Sequence, residues 1–228
     1  MKILGIEKVS FVDYEGKIAA TIFTGGCNFR CPFCHNSSIV NEEQSLIDEN
    51  EILSYLKERK SLLDGVVISG GEPTLQPDLV DFARKVKELG YAIKLDTNAT
   101  MPNVVKSLVE QQLVDHVAID IKNAFNHYSA ISGVANPNVE NIKKTLAYLK
   151  ENNISYELRT TLVKGFHTKE TIKNMAEQLA GEKLLYLQKF VDSGACISGN
   201  LQEISKEEAT VFQNILKQTI ENVYLRGY

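Results

Sequence analysis

No stretch of this chain approaches the roughly 18 consecutive apolar residues that a membrane span needs. The amino terminus, MKILGIEKVSFVDYEGK, has neither the continuous apolar core nor the small-residue cleavage site of a secretory signal. The expectation is a cytoplasmic protein with no membrane partner. A basic excess is missing as well: 25 Lys and Arg stand against 29 Asp and Glu, with a net charge of −4 and a pI near 5.7. Such a balance gives no general means of neutralising phosphates, so no nucleic-acid partner is expected. Glycine and proline are sparse at 14 and 5, apolar residues make up 43% and charged residues 24%. That composition excludes a disordered or fibrous chain. Cysteine is scarce too, at 4 in 228 residues. A chain of this length buries roughly 70% of its unfolded surface without covalent staples, so a disulfide scaffold is unnecessary.

What is present alternates. Ile3 to Val12 and Ile18 to Phe23 read as two strands joined by a turn containing Gly16. Beyond them, strand-like runs at 65–69, 91–95, 117–121, 156–163 and 184–190 alternate with helical patterns at 48–60, 77–89, 102–112, 137–152 and 168–180. Ser205 to about Tyr224 closes the chain as an amphipathic helix, with Ser205 and Glu208 placed as a capping box. This is the pattern of βα units on a parallel sheet, and no linker-like stretch divides it. A single α/β domain over 1–228 is expected, with an N-terminal hairpin at 1–23, a core at about 16–200 and a C-terminal helix at 205–224. The chemistry-bearing residues fall just after strands, at the carboxyl ends where parallel α/β folds bind ligands.

Three of the cysteines, Cys27, Cys31 and Cys34, have the spacing Cys-x3-Cys-x2-Cys on a loop that opens with Gly25 and Gly26. In a reducing cytosol, closely spaced cysteines are more often metal ligands or redox groups than disulfides. A structural zinc site needs four ligands, with His35 available as the fourth, but it favours paired two-cysteine knuckles. Three thiolates on one short loop suit a four-iron four-sulfur cluster with one iron left open.

The string FTGGCNFRCPFCHN, followed in order by SGGEPTLQ, DTNAT and IDIK, resembles the radical S-adenosylmethionine (SAM) enzymes, and among them the activating enzymes of glycyl radical proteins. The likeness is nearest to activators of anaerobic ribonucleoside-triphosphate reductase and covers roughly residues 1–200. It implies a partial (β/α)6 TIM-like barrel behind the hairpin. It also implies a [4Fe-4S] cluster on Cys27, Cys31 and Cys34, with S-adenosylmethionine on its open iron. Phe33 matches an aromatic position near the adenine, and Gly70, Gly71 and Glu72 match the element that contacts the methionine amino group. Asp96, Thr97 and Asn98, with Asp120 and Lys122, match segments holding the methionine carboxylate and the ribose; Asp96, Thr97 and Asp120 also match a monovalent cation site. Arg159 takes the place of an arginine near the carboxylate. One departure stands out: where several relatives carry a histidine, the sixth strand reads Leu187-Gln188-Lys189-Phe190, so that contact is not carried over.

The resemblance further implies reduction by flavodoxin or ferredoxin, release of a 5′-deoxyadenosyl radical, and hydrogen abstraction from a glycine of a partner glycyl radical enzyme, anaerobic ribonucleotide reductase first among them. CPFCHN and the short chain support that partner. A pyruvate formate-lyase-type activase and a small-molecule enzyme like 7-carboxy-7-deazaguanine synthase are the alternatives. Outside the motif, Cys196 reads as a loop residue and His35 as structural, and His116, His127 and His167 as surface or loop residues.

Overall fold

The structure, a computed structural model, describes residues 1–192 and 194–228. The strands are β1 (Ile3–Ser10), β2 (Ala19–Thr24), β3 (Gly65–Gly70), β4 (Ala92–Thr97), β5 (His116–Asp120), β6 (Tyr156–Leu162), β7 (Leu184–Lys189) and β8 (Asn222–Arg226). Between them lie the helices α1 (Ser37–Val40), α2 (Glu49–Glu58), α3 (Leu79–Glu88), α4 (Pro102–Glu110), α5 (Tyr128–Ser132), α6 (Val139–Glu151), α7 (Lys169–Gln178) and α8 (Lys206–Leu216). One eight-stranded sheet follows the chain order from β1 to β8. β1 and β2 are antiparallel; β2 with β3, β3 with β4, β6 with β7 and β7 with β8 are parallel. This is the expected α/β fold, with the βα alternation of a partial barrel behind the hairpin.

Cα packing divides the chain into two compact units. The first comprises 1–28, 38–118 and 140–155, and the second 29–37, 119–139 and 156–228, so that β5 gives residues to both.

In the first unit, β2 and β3 are apolar on both faces, with Ala19, Ala20, Ile22, Val66 and Val67 fully buried, as parallel strands covered on both sides require. Helix α2 is capped by Asp48, which accepts from the Asn50 N–H at 2.7 Å, and α4 begins with Pro102, whose missing N–H costs nothing in a first turn. Lys94 of β4 is a buried exception, donating to the Asp13 carbonyl in the hairpin at 2.6 Å.

In the second unit, α8 packs against α7 and β8, and Leu158, Leu185, Leu187 and Val223 of β6–β8 are fully buried. Helix α7 carries a capping box between Thr168 and Thr171. Ser205 accepts from the Glu208 N–H at 3.2 Å, the forward half of the box expected there.

The C-terminal helix differs from expectation. It stops at Leu216, and residues 222–226 form β8, hydrogen-bonded in parallel to β7. Leu216, Ile220 and Val223 fit a helical stripe as well as a strand approach, and the ladder offered by β7 decides for the strand. Among the described residues no helix is long and apolar enough to cross a membrane.

Candidate active site

In the first unit, the chain leaves β2 through Gly25 and Gly26 to reach Cys27. Gln76 pins that exit by donating to the Gly25 carbonyl at 2.8 Å. The end of β3 lies against the same backbone: Gly71 N–H donates to Thr24 O and Glu72 N–H to Gly26 O, both at 2.8 Å. A Cβ on Gly71 would collide with the Gly26 carbonyl, and one on Gly70, at φ +117°, with the backbone of Thr24. The two glycines are therefore demanded by the chain's own close approach beside the first cysteine.

Glu72 is 1% exposed. Its carboxylate accepts from the Thr74 N–H (3.0 Å), the Thr74 hydroxyl, the Thr97 hydroxyl (2.7 Å) and the Asn98 N–H (2.7 Å). Burial raises its pKa above the ordinary value against the pull of these donors. Asn98, Asn28 and Thr100 close a ring: Asn98 Nδ2 donates to Asn28 Oδ1 (2.7 Å), Asn28 Nδ2 to Thr100 Oγ1 (2.8 Å), and Thr100 Oγ1 to Asn98 Oδ1 (2.7 Å). Asn98 Nδ2 also lies 4.0 Å from Cys27 Sγ. Asp96 accepts from Ser69 Oγ at 3.1 Å and stands 3.7 Å from the Lys94 ammonium.

In the second unit, Cys34 N–H bonds back to Cys31 O at 3.0 Å, a turn that keeps the two thiols on one short arc. Burial pushes the Cys31 thiol up to about 11, although the Lys122 charge opposes the rise. Asp120, at the end of β5, takes Lys122 Nζ on one oxygen and Arg159 Nε on the other, each at 3.0 Å. Burial alone would raise its carboxyl; the Arg159 and Lys122 charges and their hydrogen bonds prevail and hold it down to about 2. Lys122 is raised in turn by Asp120, and its ammonium sits 5.9 Å from the centre of the buried Phe33 ring.

Two residues that the sequence left unassigned support this cluster. Tyr128 accepts from the Lys122 N–H at 3.0 Å and donates to Asp120 O at 3.2 Å. His167, expected to be a surface or loop residue, lies in the connection from β6 to α7 but is only 2% exposed. Its Nδ1 accepts from the Val163 N–H (3.0 Å), which leaves Nε2 to donate to Lys122 O (2.9 Å), and burial lowers its pKa to about 4. His35 is exposed, and its ring stacks on Phe190 with 6.4 Å between the ring centres. The thiol of Cys196 reaches Phe33 O at 3.7 Å, and Ser198 N–H donates to Pro32 O at 2.9 Å, so segment 195–198 runs along the cysteine loop.

The profile of the radical SAM superfamily matches residues 21–179. The chain belongs to the radical SAM superfamily. Within that superfamily it groups with activators of glycyl radical enzymes. It is 35% identical over 97% of its length to a Methanocaldococcus jannaschii protein provisionally named a glycyl-radical enzyme activating enzyme, covering 94% of that protein. It is also 32% identical, over 71% of its length, to the pyruvate formate-lyase-activating enzyme of Staphylococcus aureus (strain USA300), of which it covers 68%. In fold it resembles a radical SAM methyltransferase from Sphaerobacter thermophilus, with TM-score 0.73, 16% identity, and coverage of 96% of this chain and 69% of that one. Streptococcus suis SuiB bound to S-adenosylmethionine has TM-score 0.69 and 16% identity over 90% of this chain and 49% of that one. The chain is thus a radical SAM enzyme of the glycyl-radical-activating kind, and membership implies a four-iron four-sulfur cluster and S-adenosylmethionine.

The donor set fits that implication. No cysteine is disulfide-bonded, and thiolates are the ligands such clusters use. Among the described residues no three His, Cys, Asp or Glu side chains gather as for a single metal ion. A four-iron cluster sets each thiolate on its own iron and needs no such gathering.

Proposed function

We propose that this radical SAM enzyme installs a glycyl radical on anaerobic ribonucleoside-triphosphate reductase. The reading is carried by the near full-length likeness to a glycyl-radical enzyme activating enzyme. The CPFCHN string of residues 31–36 supports the choice of the reductase. A pyruvate formate-lyase-type partner is the second reading, favoured by the 32% identity to an activator of that enzyme. The electron donor is a reduced flavodoxin or ferredoxin.

In this proposal Cys27, Cys31 and Cys34 hold the cluster and Phe33 lines the adenine. When bound, the two cofactors supply one-electron cleavage of the sulfonium to methionine and a 5′-deoxyadenosyl radical able to take a hydrogen atom from glycine; the protein orients and shields. Gly70 and Gly71 shape the site of the methionine amino group through their backbone. Glu72 serves it indirectly, since its carboxylate is spent on Thr74, Thr97 and Asn98. Asn98 steadies Cys27 through the ring with Asn28 and Thr100. Asp96 and Thr97, with Asp120, Lys122 and Arg159, address the methionine carboxylate and the ribose. A monovalent cation on Asp96, Thr97 and Asp120 would have to take oxygens now held by Ser69 and Ala99 N–H and by Lys122 and Arg159. A single catalytic domain over 1–228 belongs to the same proposal.

Anaerobic incubation of the reconstituted, reduced protein with S-adenosylmethionine and the reductase tests the pairing. A glycyl radical signal by electron paramagnetic resonance is expected. Deoxyadenosine without that signal rejects the reductase, and a signal only with pyruvate formate-lyase selects the second reading.

A further inference from the structure

β4 carries two ionic side chains beside the apolar, buried Val66, Val67 and Ile68 of β3. Lys94 and Asp96 are two apart along the strand and therefore share a face of the sheet. Register puts Lys94 in one cross-strand row with Val67 and Thr21, and Ser69 with Phe23 in the next row toward the strand ends. The Lys94 side chain is 4% exposed and that of Asp96 13%. An ammonium buried to this degree is costly unless polar groups meet it. Within the first unit the Asp13 carbonyl does so at 2.6 Å and Asp96 Oδ1 at 3.7 Å. Asp13 is itself tied down, because the Thr21 hydroxyl donates to its Oδ2 at 2.6 Å.

The other oxygen of Asp96 accepts from Ser69 Oγ at 3.1 Å. The carboxylate thus meets a fixed cation on one oxygen and a hydroxyl on the other. Thr97 is equally engaged: its hydroxyl donates to Glu72 at 2.7 Å and accepts from the Ala99 N–H at 3.0 Å. A sodium or potassium ion on Asp96 and Thr97 would have to displace these donors. It would also stand against the Lys94 ammonium, a like-charge contact in a poorly hydrated place. The side chains matched to a monovalent cation are therefore a poor fit for one, and the charge it would bring is already there.

We propose that Lys94 is a positioning residue for S-adenosylmethionine: its ammonium serves Asp96 as a resident cation, so that cofactor binding needs neither sodium nor potassium. The Lys94 charge offsets that of Asp96, and the methionine carboxylate does not meet a bare like charge. This rests on the reading above in which Asp96 addresses the methionine carboxylate and the ribose.

Binding of S-adenosylmethionine to reconstituted holoenzyme without reductant would be measured by calorimetry in tetramethylammonium, sodium and potassium chloride, each at an ionic strength of about 0.1 M to equalise screening. The unaltered protein should show one affinity in all three salts. Lys94→Met should bind about tenfold more weakly in tetramethylammonium, the scale of one charge-assisted contact. Sodium or potassium should restore most of that loss, which a merely structural defect would not allow. Lys94→Arg, which keeps the charge, should stay insensitive to the salt. An affinity of the unaltered protein that falls in tetramethylammonium would overturn the proposal, whether or not Lys94→Met folds. So would a Lys94→Met protein that binds like the parent, or one that neither small cation restores. Asp96→Asn separates the two claims. Parental affinity in that variant removes Asp96 from the cofactor site and Lys94 with it, whereas weakened binding there beside a full-affinity Lys94→Met sinks only the role of Lys94.

Discussion

The carboxylate of Glu72 accepts the main-chain N–H of Asn98 at 2.7 Å, and through that bond the end of β3 holds the end of β4. The same carboxylate takes the hydroxyl of Thr97 and both donors of Thr74. All of its partners are donors of this chain, so its first effect is to set where the strand-end loops lie. Glu72→Gln would turn an amide N–H toward one of them and leave a buried donor unmatched. A loss of about 1–3 kcal/mol is expected, read as a lower melting temperature. An unchanged melting temperature would remove Glu72 from this positioning role.

Gly71→Ala places a methyl against the Gly26 carbonyl, next to Cys27. Backbone on both sides leaves no flexible end to yield, so the loop must shift. The variant should fold less stably and take up less iron on anaerobic reconstitution, followed by iron analysis and visible absorption. Full iron uptake at unchanged stability would show that the close approach is dispensable.

His167 gives the fold a pH dependence with a defined sign. Its folded pKa, lowered by burial to about 4, lies below the unfolded value of 6.5. The unfolded chain therefore binds the proton first. The stabilisation is complete above pH 6.5 and fades as pH falls from there toward 4, by about 3 kcal/mol over the window at 1.36 kcal/mol per unit. Urea midpoints between pH 7.5 and about 4.5 should fall for the unaltered protein, and His167→Asn should flatten that part of the curve. Parallel curves for the two proteins would contradict the assignment.

Much of this was legible in the sequence, because the relevant signals are local. Alternating βα periods gave the fold class, and the 3-and-2 spacing of Cys27, Cys31 and Cys34 pointed to a cluster before any strand was placed. Less legible was whatever depended on a partner far along the chain. His167 bonds the main chain at Val163 and Lys122, and backbone partners leave no residue-type signature. Gly70 and Gly71 read as room for a ligand, whereas the atoms they make room for belong to Thr24 and Gly26. Residues 222–224 read as the end of a helix because both periods fit Val223, and only the ladder with β7 separates them.

Asp120 neutralises two cations, Lys122 and Arg159, each 3.0 Å away. Asp120→Asn would leave both without a counter-charge in a partly buried site. The cost should be about 1–2 kcal/mol after allowing for partial exposure, together with weaker binding of S-adenosylmethionine by calorimetry. Stability equal to that of the parent would mean that the pair contributes only surface-type electrostatics.

Metal analysis after anaerobic purification and reconstitution bears most directly on the central claim that Cys27, Cys31 and Cys34 ligate one iron-sulfur cluster. Four irons and four sulfides per chain are expected, falling sharply when any one of the three cysteines is replaced by alanine. One zinc per chain with neither iron nor sulfide would contradict the cluster, and with it the radical chemistry assigned to this site.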